Sequence, residues 1–140
     1  MREANTCGGL IKQIHDELEK NANNALRRDD LTLSQISVLL TLAEAEGGQL
    51  EQKQLEQVLH IAQSTVTGIV QRLARKGFLE SFPDARDKRI KRIRITPLGR
   101  KCCQNAQANM KRTEAALTSP LTEAEHETLI RLLQKIRDSF

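Results

Sequence analysis

The residues able to do chemistry in this 140-residue chain cluster between Gln63 and Arg94. Val66, Ile69, Val70 and Leu73 recur at three- and four-residue spacing, which predicts a helix over about 63–76 with one buried stripe. The remaining face offers Gln63, Ser64, Thr65, Thr67, Gly68, Gln71 and Arg75. Short hydroxyls and amides hydrogen-bond both base edges and phosphates, and Gln can pair with adenine. Gly68 is unusual inside a helix, where Gly costs about 1 kcal/mol against Ala. Either it lets the backbone approach a ligand closely, or it is tolerated because nothing packs there. A basic run follows, with Arg86, Lys88, Arg89, Lys91, Arg92 and Arg94. A thin basic ribbon can enter a DNA minor groove, where narrow width concentrates negative potential. Asp84 and Asp87 interrupt it, and their expected role is to hold neighbouring Arg side chains by charge-assisted hydrogen bonds.

The placement of charge sharpens this reading. The chain carries 22 Lys and Arg against 18 Asp and Glu, a net of +4. Eleven of those basic residues but only three acidic ones fall between Gln71 and Lys101. A basic block on an acidic remainder is the footprint of a phosphate-binding surface. The bland alternative is a solvated charged face. With three Phe and no Tyr or Trp, the chain lacks the stacking platforms that single-stranded nucleic acid needs.

Other chemistries find little support. No Gly-rich phosphate cradle, nucleophile elbow or paired-carboxylate pattern marks an enzyme, and nothing calls for a cofactor. His15, His60 and His126 are far apart, and no His or Cys pair has metal-ligand spacing, so no metal is expected. Cys7, Cys102 and Cys103 form no disulfide framework. There is neither an apolar run of membrane-spanning length nor an N-terminal signal pattern. The expectation is a reduced, cytoplasmic protein without a membrane partner.

The elements that must position these residues follow from periodicity and capping. Leu10, Ile14, Leu18, Ala22, Ala25 and Leu26 predict a first helix. Thr32 with Gln35 forms a capping-box pattern that opens a second, ended by Gly47-Gly48. A short third helix spans about 51–59, and a tight turn leads into the helix at 63–76, which Gly77 terminates. Two helices so joined match a helix-turn-helix. Phe78–Phe82 and Ile90–Ile95 predict a β-hairpin with a long basic tip. Thr96-Pro97 opens a fifth helix and Thr122 with Glu125 a sixth. The fold class expected is mainly α with a small β-hairpin. A winged helix-turn-helix core (31–96) lies between an N-terminal helix (1–30) and C-terminal helices (97–140), in one compact domain overall.

Residues 31–99 resemble the MarR family of winged-helix regulators. Leu31-Thr32-Leu33-Ser34-Gln35 is similar to that family's start of its second helix. Ser64-Thr65-Val66-Thr67 and Arg72-Leu73-Ala74-Arg75-Lys76-Gly77-Phe78 resemble its recognition helix and the turn into the wing. Asp87-Lys88-Arg89, then Ile95-Thr96-Pro97-Leu98-Gly99, resembles its Asp-x-Arg and Leu-Thr-x-x-Gly wing motif. Leu121-Thr122-Glu123-Ala124-Glu125 resembles the start of its last helix. Ala62 and Gly68 depart from the pattern, where the family often has Ser or Thr and Arg.

The resemblance implies a homodimer built from the first, fifth and sixth helices, with recognition helices in major grooves of a palindromic double-stranded DNA operator and wings in minor grooves. Asp87 would brace the wing by pairing with a nearby Arg, with Arg72 a further bracing candidate. Arg89, then Arg86, would enter the minor groove. The expected function is a DNA-binding transcriptional regulator, by default a repressor. Family members commonly release DNA on binding a small-molecule effector between dimer helices and DNA-binding part, where His15 and Cys102 are the candidates here. Two rival readings are a thiol-based redox regulator using Cys7, which lies near the first helix's start, and a winged-helix module that binds protein.

Overall fold

The structure, a computed structural model, describes residues 5–140. The hydroxyl of Thr6 accepts the Gly9 N–H at 3.0 Å and opens α1 (Cys7–Arg27). Thr32 and Gln35 form the expected reciprocal capping box, with bonds of 3.1 and 3.2 Å, at the start of α2 (Leu33–Glu44). After one tight turn at Glu46–Gly48 come β1 (Gln49–Glu51), α3 (Gln52–Leu59) and α4 (Gln63–Arg75). The strands β2 (Leu79–Pro83) and β3 (Lys91–Ile95) form the wing. Thr96 then caps α5 (Pro97–Thr118), with Pro97 in the first turn. Thr122 and Glu125 make a second capping box at α6 (Glu123–Arg137).

The hairpin is one strand larger than expected. β1 pairs antiparallel with β3, giving a three-stranded sheet in the order β1-β3-β2. Gln49-Leu50-Glu51 is too short for alternation to show, and its backbone is recruited by β3 rather than by its own side chains.

The core lies where α2, α3, α4 and the sheet meet. Val38, Leu39 and Leu42 of α2, Leu55 of α3, Val66 and Leu73 of α4 and Ile93 of β3 are completely buried. The same cluster takes in Leu26 of α1 and Cys102 and Cys103 of α5, so the terminal helices are rooted in it. α6 buries none of its residues. Burial pushes the Cys102 thiol up, with help from Asp29, and pushes Cys103 up to about 11. Neither is a ready thiolate at neutral pH, and both act as small core residues.

One contact explains the glycine that ends the wing motif. Gly99 sits in the first turn of α5 against the Phe78 carbonyl, and an added Cβ would fall on that oxygen and 2.8 Å from an Ile95 methylene carbon. The obstacle is backbone, which cannot rotate aside. Gly99→Ala is therefore expected to destabilise the fold by about 1–3 kcal/mol despite Ala's better helix propensity. Chemical denaturation of the two proteins checks this, and an unchanged midpoint would count against the close approach.

Candidate nucleic-acid interface

α4 is built to present one face outward. Val66, Ile69, Val70 and Leu73 face the core, whereas Gln63, Ser64, Thr65, Gln71, Arg72 and Arg75 are exposed. Its first turn has no side-chain cap, because Ala62 occupies that position. Unpaired N–H groups there suit an anion. Its last turn closes as a Schellman motif: Gly77 takes φ +80°, and the Phe78 N–H reaches the Leu73 carbonyl at 3.0 Å. His60, at φ +53°, makes the turn from α3.

Thr67 departs from its expected place among the outward readers. Its half-buried hydroxyl donates to the Gln63 carbonyl at 2.8 Å and accepts from Gln52 Nε2 at 2.9 Å. Gln52 is buried, so the bond fixes α3 against α4. Thr67 positions the helix-turn-helix, with its hydroxyl engaged by Gln52 of the same chain.

The wing is held by its carboxylates. Asp84 accepts the backbone N–H of Arg86 and of Asp87, each at 3.0 Å, and lies 3.6 Å from Arg92 Nη1. The two backbone bonds, more than Arg92, hold Asp84 below the usual carboxylate range. Asp87 receives Arg89 through Nε and Nη2, both at 3.0 Å, and that bidentate bond lowers its pKa and raises that of Arg89. Asp87 thus braces Arg89 itself, the leading minor-groove candidate. Arg72 is exposed on α4 and makes no ion pair among the described residues, so the expectation that it braces the wing is corrected.

That task belongs to Arg92, a residue indistinguishable by sequence from its basic neighbours. Only a quarter exposed, it lies 3.8 Å from Glu51, 3.6 Å from Asp84 and 3.5 Å from the Gln49 side-chain oxygen. It joins the wing to β1 and to Glu51, the N-cap of α3. Arg94 is likewise occupied, 2.9 Å from Glu80 and over the Phe82 ring at 4.8 Å. Arg86, Lys88 and Lys91 remain exposed and make no ion pair among the described residues.

A separate cleft of about 340 Å³ opens between α1, α2 and α5. Leu33, Ile36, Leu40 and Met110 give it apolar walls, with Arg28 and Arg112 at its edge. His15 and Cys102 do not line it: His15 is exposed, 3.6 Å from Glu19, and Cys102 points its thiol into the core. Cys7 is exposed at the start of α1. Among the described residues no group of His, Cys, Asp and Glu is placed to hold a metal, and no helix is long and apolar enough to cross a membrane.

Against this geometry the comparisons agree. The MarR family profile matches residues 31–91. The multiple antibiotic resistance protein MarR of Salmonella typhimurium is 32% identical over 130 residues, 92% of this chain and 89% of that protein. The chain belongs to the MarR family. It is a winged-helix transcriptional regulator, and this family is not one of enzymes. A mutant of S. aureus MepR superposes with a TM-score of 0.87 at 28% identity, covering 96% of this chain and 98% of that one. A mutant of E. coli MarR complexed with operator DNA superposes with a TM-score of 0.70 at 28% identity, covering 92% of this chain and 91% of that one.

Within this MarR-family wing, Arg92→Met is expected to keep the fold at a cost of about 1 kcal/mol and to speed amide exchange at Arg86 and Asp87, the two N–H groups that Asp84 holds. Because Asp84 and Asp87 titrate below their ordinary value, the wing's order persists as pH falls through the usual carboxylate range and is lost below it. Amide exchange across a pH series reads both effects. Wing protection unchanged by Arg92→Met would remove the tie.

Proposed function

We propose that the protein is a homodimeric, sequence-specific repressor that grips palindromic double-stranded DNA and lets go when a small molecule fills the cleft beside α5. The observation that carries the DNA reading is the pairing of a hydrogen-bonding face on α4, polar at its start and basic at its end, with a preorganised basic wing tip. Ser64, Thr65 and Gln71 are exposed for base edges. Arg86, Lys88, Arg89 and Lys91 are exposed for phosphates and the minor groove. The E. coli MarR mutant complexed with operator DNA carries the same fold.

Dimerisation rests on apolar surface that one chain leaves in water. Leu129, Ile130, Leu132, Leu133 and Ile136 of α6 are each at least 38% exposed, and Leu10, Ile11 and Ile14 of α1 are similar. A second copy buries both sets at once, and two-fold symmetry sets half-sites about 10 base pairs apart. Bound across a promoter, such a dimer blocks initiation by occupancy. The cleft's apolar walls and its two arginines suit a small organic anion with an apolar body.

Two measurements test this reading. Binding to a selected duplex should weaken steeply with salt, at a log–log slope near −0.9 per phosphate contacted, and Arg89→Ala should cost about 1–3 kcal/mol of affinity. A flat slope would favour the protein-interaction module. Leu129→Glu combined with Leu133→Glu should convert a dimer to a monomer in sedimentation and abolish tight operator binding. A wild-type protein that sediments as a monomer would end the dimer assignment.

A further inference from the structure

The outward face of α4 has a gap at its centre. Ser64 and Thr65 lie one turn before Gly68, and Gln71 and Arg72 one turn after it, all exposed. The buried stripe of Val66, Ile69, Val70 and Leu73 runs down the opposite side. Among the described residues nothing asks for glycine there. Gly68 is mid-helix, away from either cap, and is not among the glycines with positive φ. A Cβ added to it meets no atom within 4 Å. Any other residue except proline would favour the helix more. Among the described residues Gly68 thus has neither a packing nor a conformational reason, and the space over it is open to a ligand.

We infer that Gly68 is a specificity-determining residue, and that the notch it leaves receives the methyl group of a thymine in the DNA major groove. The inference rests on the DNA reading proposed above and deepens it. In the interior of a helix the backbone N–H and C=O are bonded to each other. Gly68 therefore has no donor or acceptor to offer a base, only van der Waals contact at close range. Among the groups that base pairs display in the major groove, the thymine methyl is the apolar one that protrudes. Ser64 and Thr65 keep one side of the notch low, while Gln71 on the other side has the amide that pairs with adenine.

The test is a cycle between one carbon on the protein and one on the DNA. An operator is first selected from a random duplex pool with the full-length protein. Each thymine of both half-sites is then replaced in turn by deoxyuridine, which removes only the methyl. Affinities of wild type, Gly68→Ala and Gly68→Ser are measured at fixed salt. At one position per half-site, wild type should lose about fourfold for each buried methyl removed. Gly68→Ala should bind the parent operator more weakly than wild type, recover on the deoxyuridine operator, and melt a few degrees higher. Gly68→Ser should show the same reversal of preference. Equal binding of the parent operator by wild type and both variants overturns the inference, as does the absence of any thymine whose methyl responds to residue 68. If wild type in those cases still shows a steep salt slope, the DNA reading stands without this contact. Failure of wild type to bind any duplex removes both.

Discussion

Two consecutive carbonyls, those of Gly77 and Phe78, tie the recognition helix, the wing and α5 together. The hydroxyl of Thr96 donates to the Gly77 oxygen at 2.6 Å, and the Thr96 N–H reaches the Phe78 oxygen at 3.1 Å. The same hydroxyl accepts the Gly99 N–H at 3.1 Å, which caps α5. One threonine thus ends the sheet, starts the long helix and grips the turn that closes α4. The corner has no slack, because the first turn of α5 rests on backbone at Gly99. Any rotation of α5 must be passed to α4 through this joint or must break its bonds. The angle between α4 and the C-terminal helices is therefore set by the hydrogen bonds of Thr96 to backbone groups, which are directional, more than by apolar packing, which is not.

The wing shows how acidic residues serve a basic surface. Asp84 and Asp87 reduce the local positive charge, which on Coulombic grounds alone weakens attraction to phosphate. They offset that loss by ordering the loop. Each accepts backbone N–H groups two or three residues along, so the tip is shaped before any ligand arrives. Ordering a loop on binding costs about 1–2 kcal/mol per residue in backbone entropy, more than one exposed charge contributes. Arg89 is then presented on a fixed carboxylate rather than on a mobile chain.

The helices were legible in the sequence because each declares itself twice, by a stripe of apolar residues and by a cap such as Thr32, Thr96 or Thr122. The residues that remained hidden depend on partners distant in sequence. β1 exists because β3 runs beside it, and its three residues carry no pattern of their own. Arg92 and Arg94 look like their neighbours in a basic run, yet both are spent inside the protein because Glu51, Asp84 and Glu80 come from elsewhere in the chain. Thr67 lies near the edge of the polar face, and only the buried Gln52 fifteen residues upstream turns its hydroxyl inward. Periodicity assigns a residue to a face. It does not show what another element has placed against that face.

The same distinction governs α6. Its periodicity is as clear as that of α4, but among the described residues nothing covers it, and none of its fifteen residues is buried. A helix of that length is marginal in water without packing. Its reciprocal cap and the basic residues of its last turn contribute a few tenths of a kcal/mol to about 1 kcal/mol each, too little to hold it alone. Whatever covers its leucines and isoleucines must also fix where α5 points, since the two helices are joined by a short turn at Pro120. Through Thr96 and the Gly77–Phe78 corner, that fixes the attitude of α4. The outward face of α4 and the exposed apolar face of α6 are thus connected by one path of hydrogen bonds and a short turn.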